Sequence, residues 1–203
     1  HRAKEAGGGR AAFFERGMGE AAEQRFRVER ELRYAIGANE LRLHLQSQVD
    51  VQGQLTGAEV LVRWQRPRDG LLAPGVFIPI AEESDLIVSL GDWVLAHACA
   101  LLAQPVFGQR QLRLSVNLSA RQFRQPGFVP QLLALLAETG ADPHLLTLEV
   151  TEGLVIDDFD DAVAKMRALA ALGVEMSLDD FGTGYSSLAY LKRLPIQEIK
   201  IDR

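Results

Sequence analysis

Short apolar strands alternating with helices across tight connections are what most narrows the folds open to this chain. Leu41–Val51 alternates Leu41, Leu43 and Leu45 with polar residues, and Gly57–Trp64 forms a second strand. Pro74-Gly75 breaks the chain, and an apolar helix follows over Leu86–Ala103. Leu112–Leu118 is a third strand, and the helix Val129–Thr139 stops at Gly140. Leu145–Val150 is a fourth strand, and the helix Phe159–Leu172 stops at Gly173. Val174–Asp179 is the fifth strand, Ser186–Leu194 a helix closed by Pro195, and Glu198–Ile201 the sixth strand. This order predicts an α/β fold with a parallel sheet, either open or closed as a barrel. A closed barrel of eight units takes about 250 residues. This chain has 203 and reaches only its sixth strand, so the barrel is expected to be incomplete.

Upstream, Glu20–Ala38 carries Ala22, Phe26, Leu32, Ala35 and Ile36 at helical spacing, which predicts an amphipathic helix. Its stripe suits packing on the following domain or on a partner helix. His1–Phe14 reads as a helix end, a glycine turn and a closing strand, too poor in apolar surface to fold alone. With no initiator Met and no signal peptide, the chain is expected to be a segment of a longer protein.

The polar residues that bear chemistry fall at strand ends. Asp179 and Asp180 run into Phe181-Gly182-Thr183-Gly184, where the glycines supply a turn. An isolated Asp-Asp pair is ordinarily a solvated turn. Here, however, Glu59, Asn117, Glu149 and Asp179 come from four successive strands, each embedded in apolar sequence. Parallel strands gather their C-terminal ends on one face, so these oxygens are expected to meet. Crowded carboxylates repel one another unless a cation intervenes, and an oxygen-only set favours Mg²⁺ or Mn²⁺ over Zn²⁺. Asp180 can bridge with Asp179 to a second ion. Lys200, ending the sixth strand, can orient a water or offset phosphate charge.

Bulk properties exclude several classes. The formal charge of −5 rules out a broad basic surface for duplex nucleic acid. Cys99 is the single cysteine, so no internal disulfide forms, and its apolar helical setting suits a buried structural thiol. His1, His44, His97 and His144 lack metal-ligand spacing, and no run approaches the ~20 apolar residues of a membrane span.

The segments Glu59–Trp64, Val116–Ser119, Leu148–Glu152, Asp179–Leu188 and Lys200–Asp202 together resemble the EAL domain of cyclic di-GMP phosphodiesterases, in register from about Glu31 to Arg203. The resemblance implies a TIM-type (β/α)₈ barrel whose first strand is antiparallel. It implies hydrolysis of cyclic di-GMP to linear pGpG, in bacterial second-messenger signalling, with two Mg²⁺ or Mn²⁺ ions. Glu59, Asn117, Glu149 and Asp179 would then hold the first metal, and Asp179 with Asp180 the second. Lys200 would position the attacking water, and Glu152 would anchor the loop Phe181–Leu188. Gln46, Leu61 and Arg63 match substrate-contacting positions. The family further implies a homodimer formed through the loop after Asp180 and a cytoplasmic location, although an upstream segment can anchor a parent protein in a membrane.

Residues 1–14 resemble the end of a GGDEF domain, the cyclase module often placed before EAL domains, which would make 15–39 a linker helix and 40–203 the N-terminal portion of the EAL domain. Val60 stands where the motif has alanine, Leu45 and Ser47 flank Gln46 where tyrosine and proline are common, Arg66 replaces a histidine before Pro67, and Asp85 replaces a glycine. None removes a metal ligand. Without the last two strands, the chain itself is expected to show little or no activity. The competing expectation is a catalytically silent cyclic di-GMP receptor.

Overall fold

The computed structural model describes residues 16–67, 69–181 and 191–201. Its frame is a seven-stranded mixed sheet with helices on one face. In chain order the elements are α1 (Arg16–Gly37), β1 (Leu41–Val49), β2 (Leu55–Arg66), β3 (Gly70–Leu72), α2 (Pro74–Glu82), α3 (Leu86–Leu102), α4 (Pro105–Arg110), β4 (Arg113–Asn117), α5 (Ala120–Phe123), α6 (Phe128–Thr139), a 3₁₀ turn (Pro143–Leu145), β5 (Leu146–Thr151), α7 (Glu152–Asp157), α8 (Phe159–Ala170), β6 (Glu175–Phe181) and β7 (Glu198–Ile201).

β1 runs antiparallel to β2, while β2, β4, β5, β6 and β7 are successively parallel. The antiparallel first strand and the parallel remainder are as expected. Among the described residues the sheet is open, with β1 and β7 as its edges. Compared with the sequence reading, β3 is an extra strand paired antiparallel to β2, too short to leave an alternation signal. The Pro74-Gly75 break opens a helix, because proline at the first helical position forfeits only a donor that has no partner there. The short helices α4, α5 and α7 were not anticipated. The strands also end differently: β1 stops at Val49, β2 extends to Leu55 and Arg66, and β6 continues to Phe181. The expected Ser186–Leu194 helix and the His1–Phe14 tail fall largely or wholly outside the described residues.

Alternation along the strands divides the sheet into a greasy face and a polar one. Ala58, Val60, Leu114, Val116, Leu146, Leu148, Val150, Met176 and Leu178 are buried on the outer face. They pack against α3, α6 and α8 through Leu95, Cys99, Leu132 and Met166. Each fully buried side chain of this size contributes about 1.5–3 kcal/mol. Burial also pushes the Cys99 thiol up to about 11, which makes it an inert core residue. The glycines flagged at helix ends do that work: Gly140 (φ 70°) caps α6, and Gly173 (φ 98°) follows α8.

A second apolar cluster fastens α1 to the domain. Val28, Leu32 and Ala35 lie buried with Leu41, Trp64, Phe77 and Leu90. Trp64 is fully buried, meets Phe77 edge-on at 5.8 Å, and donates its indole N–H to Glu40 Oε2 at 3.1 Å. Arg66 lies 5.2 Å over the Trp64 ring and pairs with Glu31 of α1 and with Asp69. The C-terminal half of the α1 stripe, Leu32, Ala35 and Ile36, packs on the following domain, the first of the two expected alternatives, while Ala22 and Phe26 are exposed.

Candidate active site

Register fixes which residues share the polar inner face. Gln46 on β1 stands directly opposite Glu59 on β2, and His44 opposite Leu61. Glu59 aligns with Ser115, Asn117 with Glu149, Glu149 with Ser177, and Thr151 with Asp179. The parallel register thus brings Gln46, Glu59, Asn117, Glu149 and Asp179 onto one face, and Leu61 and Arg63 continue it along β2. Asn117, Glu149 and Asp179 stand toward the C-terminal ends of their parallel strands, as the spacing implied, while Glu59 lies inside β2 and Gln46 on the antiparallel β1.

Side-chain contacts tie much of this set together. Asn117 Nδ2 donates to Glu59 Oε1 at 2.8 Å. Lys200 Nζ meets Glu149 Oε1 and lies 3.5 Å from Glu59 Oε2. Glu149 is only 1% exposed, and its Oε2 accepts no hydrogen bond from a described residue. Burial drives the Glu149 carboxyl above its ordinary value of 4.5; Lys200 opposes that shift and the charge of Glu59 adds to it. Burial pulls the Lys200 ammonium down, but its hydrogen bond to Glu149 and the charges of Glu149, Glu59 and Asp179 outweigh this, and the net shift is upward. The two shifts pull in opposite senses: burial favours the neutral Glu149 carboxyl, while the surrounding carboxylates favour the charged Lys200 ammonium.

Asp179 and Asp180 are arranged differently from the sequence expectation. The strand does not end at Asp179. Between Leu178 and Phe181 the β6–β7 pairing slips, and Asp180 takes a left-handed backbone (φ 57°). Such a bulge breaks strict alternation, so adjacent carboxylates are no longer bound to opposite faces. Aspartate tolerates this conformation better than most residues. Asp180 bends the chain ahead of Gly182 and Gly184, which lie outside the described residues, and its N–H donates to Asp179 Oδ1 at 3.0 Å. Glu152, the first residue of α7, is 7% exposed, and neither of its carboxylate oxygens accepts a hydrogen bond from a described residue. The loop it was expected to anchor lies outside the described residues beyond Phe181.

A cavity of about 370 Å³ is lined by Leu61, Asn117, Ser119, Gln122 and Thr151 together with Val60, Ile78, Leu90 and Val94, and shares Leu61 and Asn117 with the site. Gln122 was not singled out from sequence. It is 1% exposed and donates to Asp92 Oδ1 at 2.8 Å. Its only signal was a polar residue directly before Phe123, too weak to read. A larger groove of about 710 Å³ lies between α1 and the β2–β3 rim, lined by Arg27, Arg30, Glu31 and Arg66, away from the acids.

The donor chemistry fits a hard divalent cation. Glu149 presents a buried carboxylate, and Glu59, Asn117 and Asp179 add three more oxygen donors on the same face. Among the described residues, however, no three His, Cys, Asp or Glu side chains are drawn into a ready ligand group; Lys200 bridges Glu59 and Glu149 instead.

An α/β sheet with an antiparallel first strand, carrying carboxylates and a lysine at the C-terminal strand ends, defines a barrel-type domain with a polar site at its mouth. The chain belongs to the EAL domain family, which matches residues 29–203. It is similar to the bifunctional diguanylate cyclase/cyclic di-GMP phosphodiesterase MucR of Pseudomonas aeruginosa (strain PAO1), 42% identical over 100% of this chain and 30% of that protein. It is also similar to the cyclic di-GMP phosphodiesterase NbdA of the same strain, 40% identical over 100% of this chain and 26% of that one. The chain thus spans about a quarter to a third of these relatives. Among solved structures it resembles the MucR phosphodiesterase in complex with c-di-GMP, with a TM-score of 0.82 and 43% identity, over 87% of this chain and 72% of that one. No described helix is long and apolar enough to cross a membrane.

Proposed function

We propose that this domain hydrolyses one phosphodiester bond of cyclic di-GMP to give linear pGpG. The observation that carries the reading is the Lys200 bridge. An ammonium held by Glu149 and Glu59 at the mouth of the sheet sits where a water or a phosphate oxygen can replace a carboxylate as its partner.

Glu59, Asn117, Glu149 and Asp179 would hold a first Mg²⁺ or Mn²⁺, and Asp179 with Asp180 a second. Bound there, the ions would lower the pKa of a coordinated water and neutralise charge on the phosphate. Lys200 orients the water oxygen by hydrogen bonding as the oxygen bonds to phosphorus, one ribose P–O bond breaks, and the departing oxygen takes up a proton. Gln46, Leu61 and Arg63 line the approach and hold the dinucleotide. Glu152 anchors the segment after Phe181, through which two copies would pair. The α1 helix would join this domain to an upstream GGDEF or sensor module, with residues 1–14 as the end of that module. The reaction takes place in the cytoplasm.

One observation favours a second reading. Lys200 reaches both Glu59 and Glu149 and can offset their charge, which suits a receptor that binds cyclic di-GMP and signals by contact. Incubating the full-length protein with cyclic di-GMP and Mn²⁺, beside Glu59→Ala, separates the two. Release of pGpG that disappears in the variant supports the enzyme; tight binding with no turnover in the unaltered protein supports the receptor.

A further inference from the structure

One wall of the cavity is a short turn. α5 follows Asn117 after Leu118 and Ser119, and Asn117, Ser119, Ala120 and Gln122 all face the cavity. A four-residue helix has no stability of its own. Its start is secured locally, since the Ser119 hydroxyl accepts from the Gln122 N–H at 3.2 Å. Its end leaves carbonyls without intrahelical partners.

Lys165, on α8, supplies what that end lacks. Its Nζ donates to the Phe123 carbonyl at 2.9 Å and lies 5.6 Å over the Phe123 ring. Asp161, one turn earlier on the same helix, pairs with it at 2.8 Å. The side chain is 12% exposed, so the ammonium is largely desolvated, and these contacts are what make its placement affordable. The charge also meets the negative end of the α5 peptide dipoles. α8 is packed firmly into the core through Met166 and Leu169, both 0% exposed, so the anchor point is rigid.

We infer that Lys165 is a positioning residue for the ligand cavity: it touches nothing in the site, yet it fixes the Asn117–Phe123 wall to α8. This rests on the cyclic di-GMP reading for its choice of ligand, but not for its mechanics. Without the ammonium the Phe123 carbonyl loses its donor and the turn loosens, while the β4–β5 ladder, including Leu118 N–H to Glu149 O at 2.8 Å, stays in place.

The test uses the full-length protein with Lys165→Met and Lys165→Arg, and as a control for general destabilisation Phe107→Leu, on the remote helix α4. Cyclic di-GMP binding is measured by calorimetry in chelator, and backbone amide exchange is followed across 118–125. Lys165→Met is expected to weaken binding about tenfold, the scale of one lost charged hydrogen bond. Exchange should rise within 118–125, Lys165→Arg should restore most of both, and Phe107→Leu should leave binding unchanged. Unaltered binding in Lys165→Met, or an exchange increase spread evenly over the domain, overturns the inference. If the unaltered protein fails to bind cyclic di-GMP, the functional reading falls and exchange alone decides. A rise confined to 118–125 then upholds the clamp, and its absence removes it.

Discussion

Lys200 Nζ stands 3.5 Å from Glu59 Oε2, joining strands that lie 141 residues apart in sequence. In the proposed reaction this ammonium would pass from the two carboxylates to a water or phosphate oxygen as hydrogen-bond donor. Replacing it with Met is expected to lower kcat for cyclic di-GMP by about 10²–10⁴, the usual contribution of a positioned proton-handling group. The dissociation constant should change much less. Steady-state kinetics beside calorimetry on a chelated sample reads the two effects separately.

Glu149 gives a pH signature. Its folded value lies above the ordinary 4.5, so the folded state holds the proton more tightly than the unfolded chain does. The stability this group contributes is fully present below about 4.5 and is lost as pH rises through the raised value. Glu149→Gln mimics the protonated form and carries no such loss. The melting temperature of the variant relative to the unaltered protein should therefore climb as pH is raised from 4 towards neutrality in metal-free buffer. A flat difference across that range would contradict the burial argument.

Divalent cation should stabilise the fold through the same acids. Mn²⁺ at a hundred times its dissociation constant adds about 2.7 kcal/mol by mass action. Thermal unfolding should shift upward with Mn²⁺, and Glu149→Ala should abolish most of the shift.

Two glycines differ in how much room they leave. A Cβ on Gly57 would come within 2.5 Å of the Arg113 carbonyl oxygen, which is backbone in the neighbouring strand. A Cβ on Gly91 would instead strike the end of the Gln122 side chain. Gly57→Ala is expected to cost more, at the upper end of about 1–3 kcal/mol for overpacking, since backbone gives way less readily than an amide tip. Gly91→Ala should be milder in stability but should release Gln122 from Asp92. Urea titrations of both variants check the order.

Arg66 stands where a histidine is usual, and its contacts explain how the larger group is used. It is 17% exposed, covers Trp64, and joins Glu31 on α1 to Asp69. Arg66→Ala is expected to cost about 1–2 kcal/mol through the lost cation–π contact and ion pairs. A double-mutant cycle with Glu31→Gln should show a coupling that vanishes when α1 is removed from the comparison by mutating Leu32.

The strand order and the sharing of a face by Glu59, Asn117, Glu149 and Asp179 were legible because alternation and register are periodic. α2 was not, because Pro74 reads as a break until one sees that it opens a helix. The bend at Asp180 was not legible either, since nothing in an Asp-Asp pair announces that one of them takes a positive φ. The grip of Gln122 on Asp92 and of Lys165 on Phe123 joins elements 30 and 42 residues apart, a distance at which single-residue patterns carry no signal.

Both apolar clusters lie between the sheet and its helices, and the inner face carries Ser115, Thr147, Glu149 and Ser177. Cohesion in this domain is therefore that of a hooped cask, held from outside rather than glued within. Opening the sheet at β1 and β7 leaves the greasy layer behind β2, β4, β5 and β6 covered and bares mainly ladder hydrogen-bonding groups. Among the described residues β1 and β7 present unpaired ladder groups, the two places at which a further strand can pair.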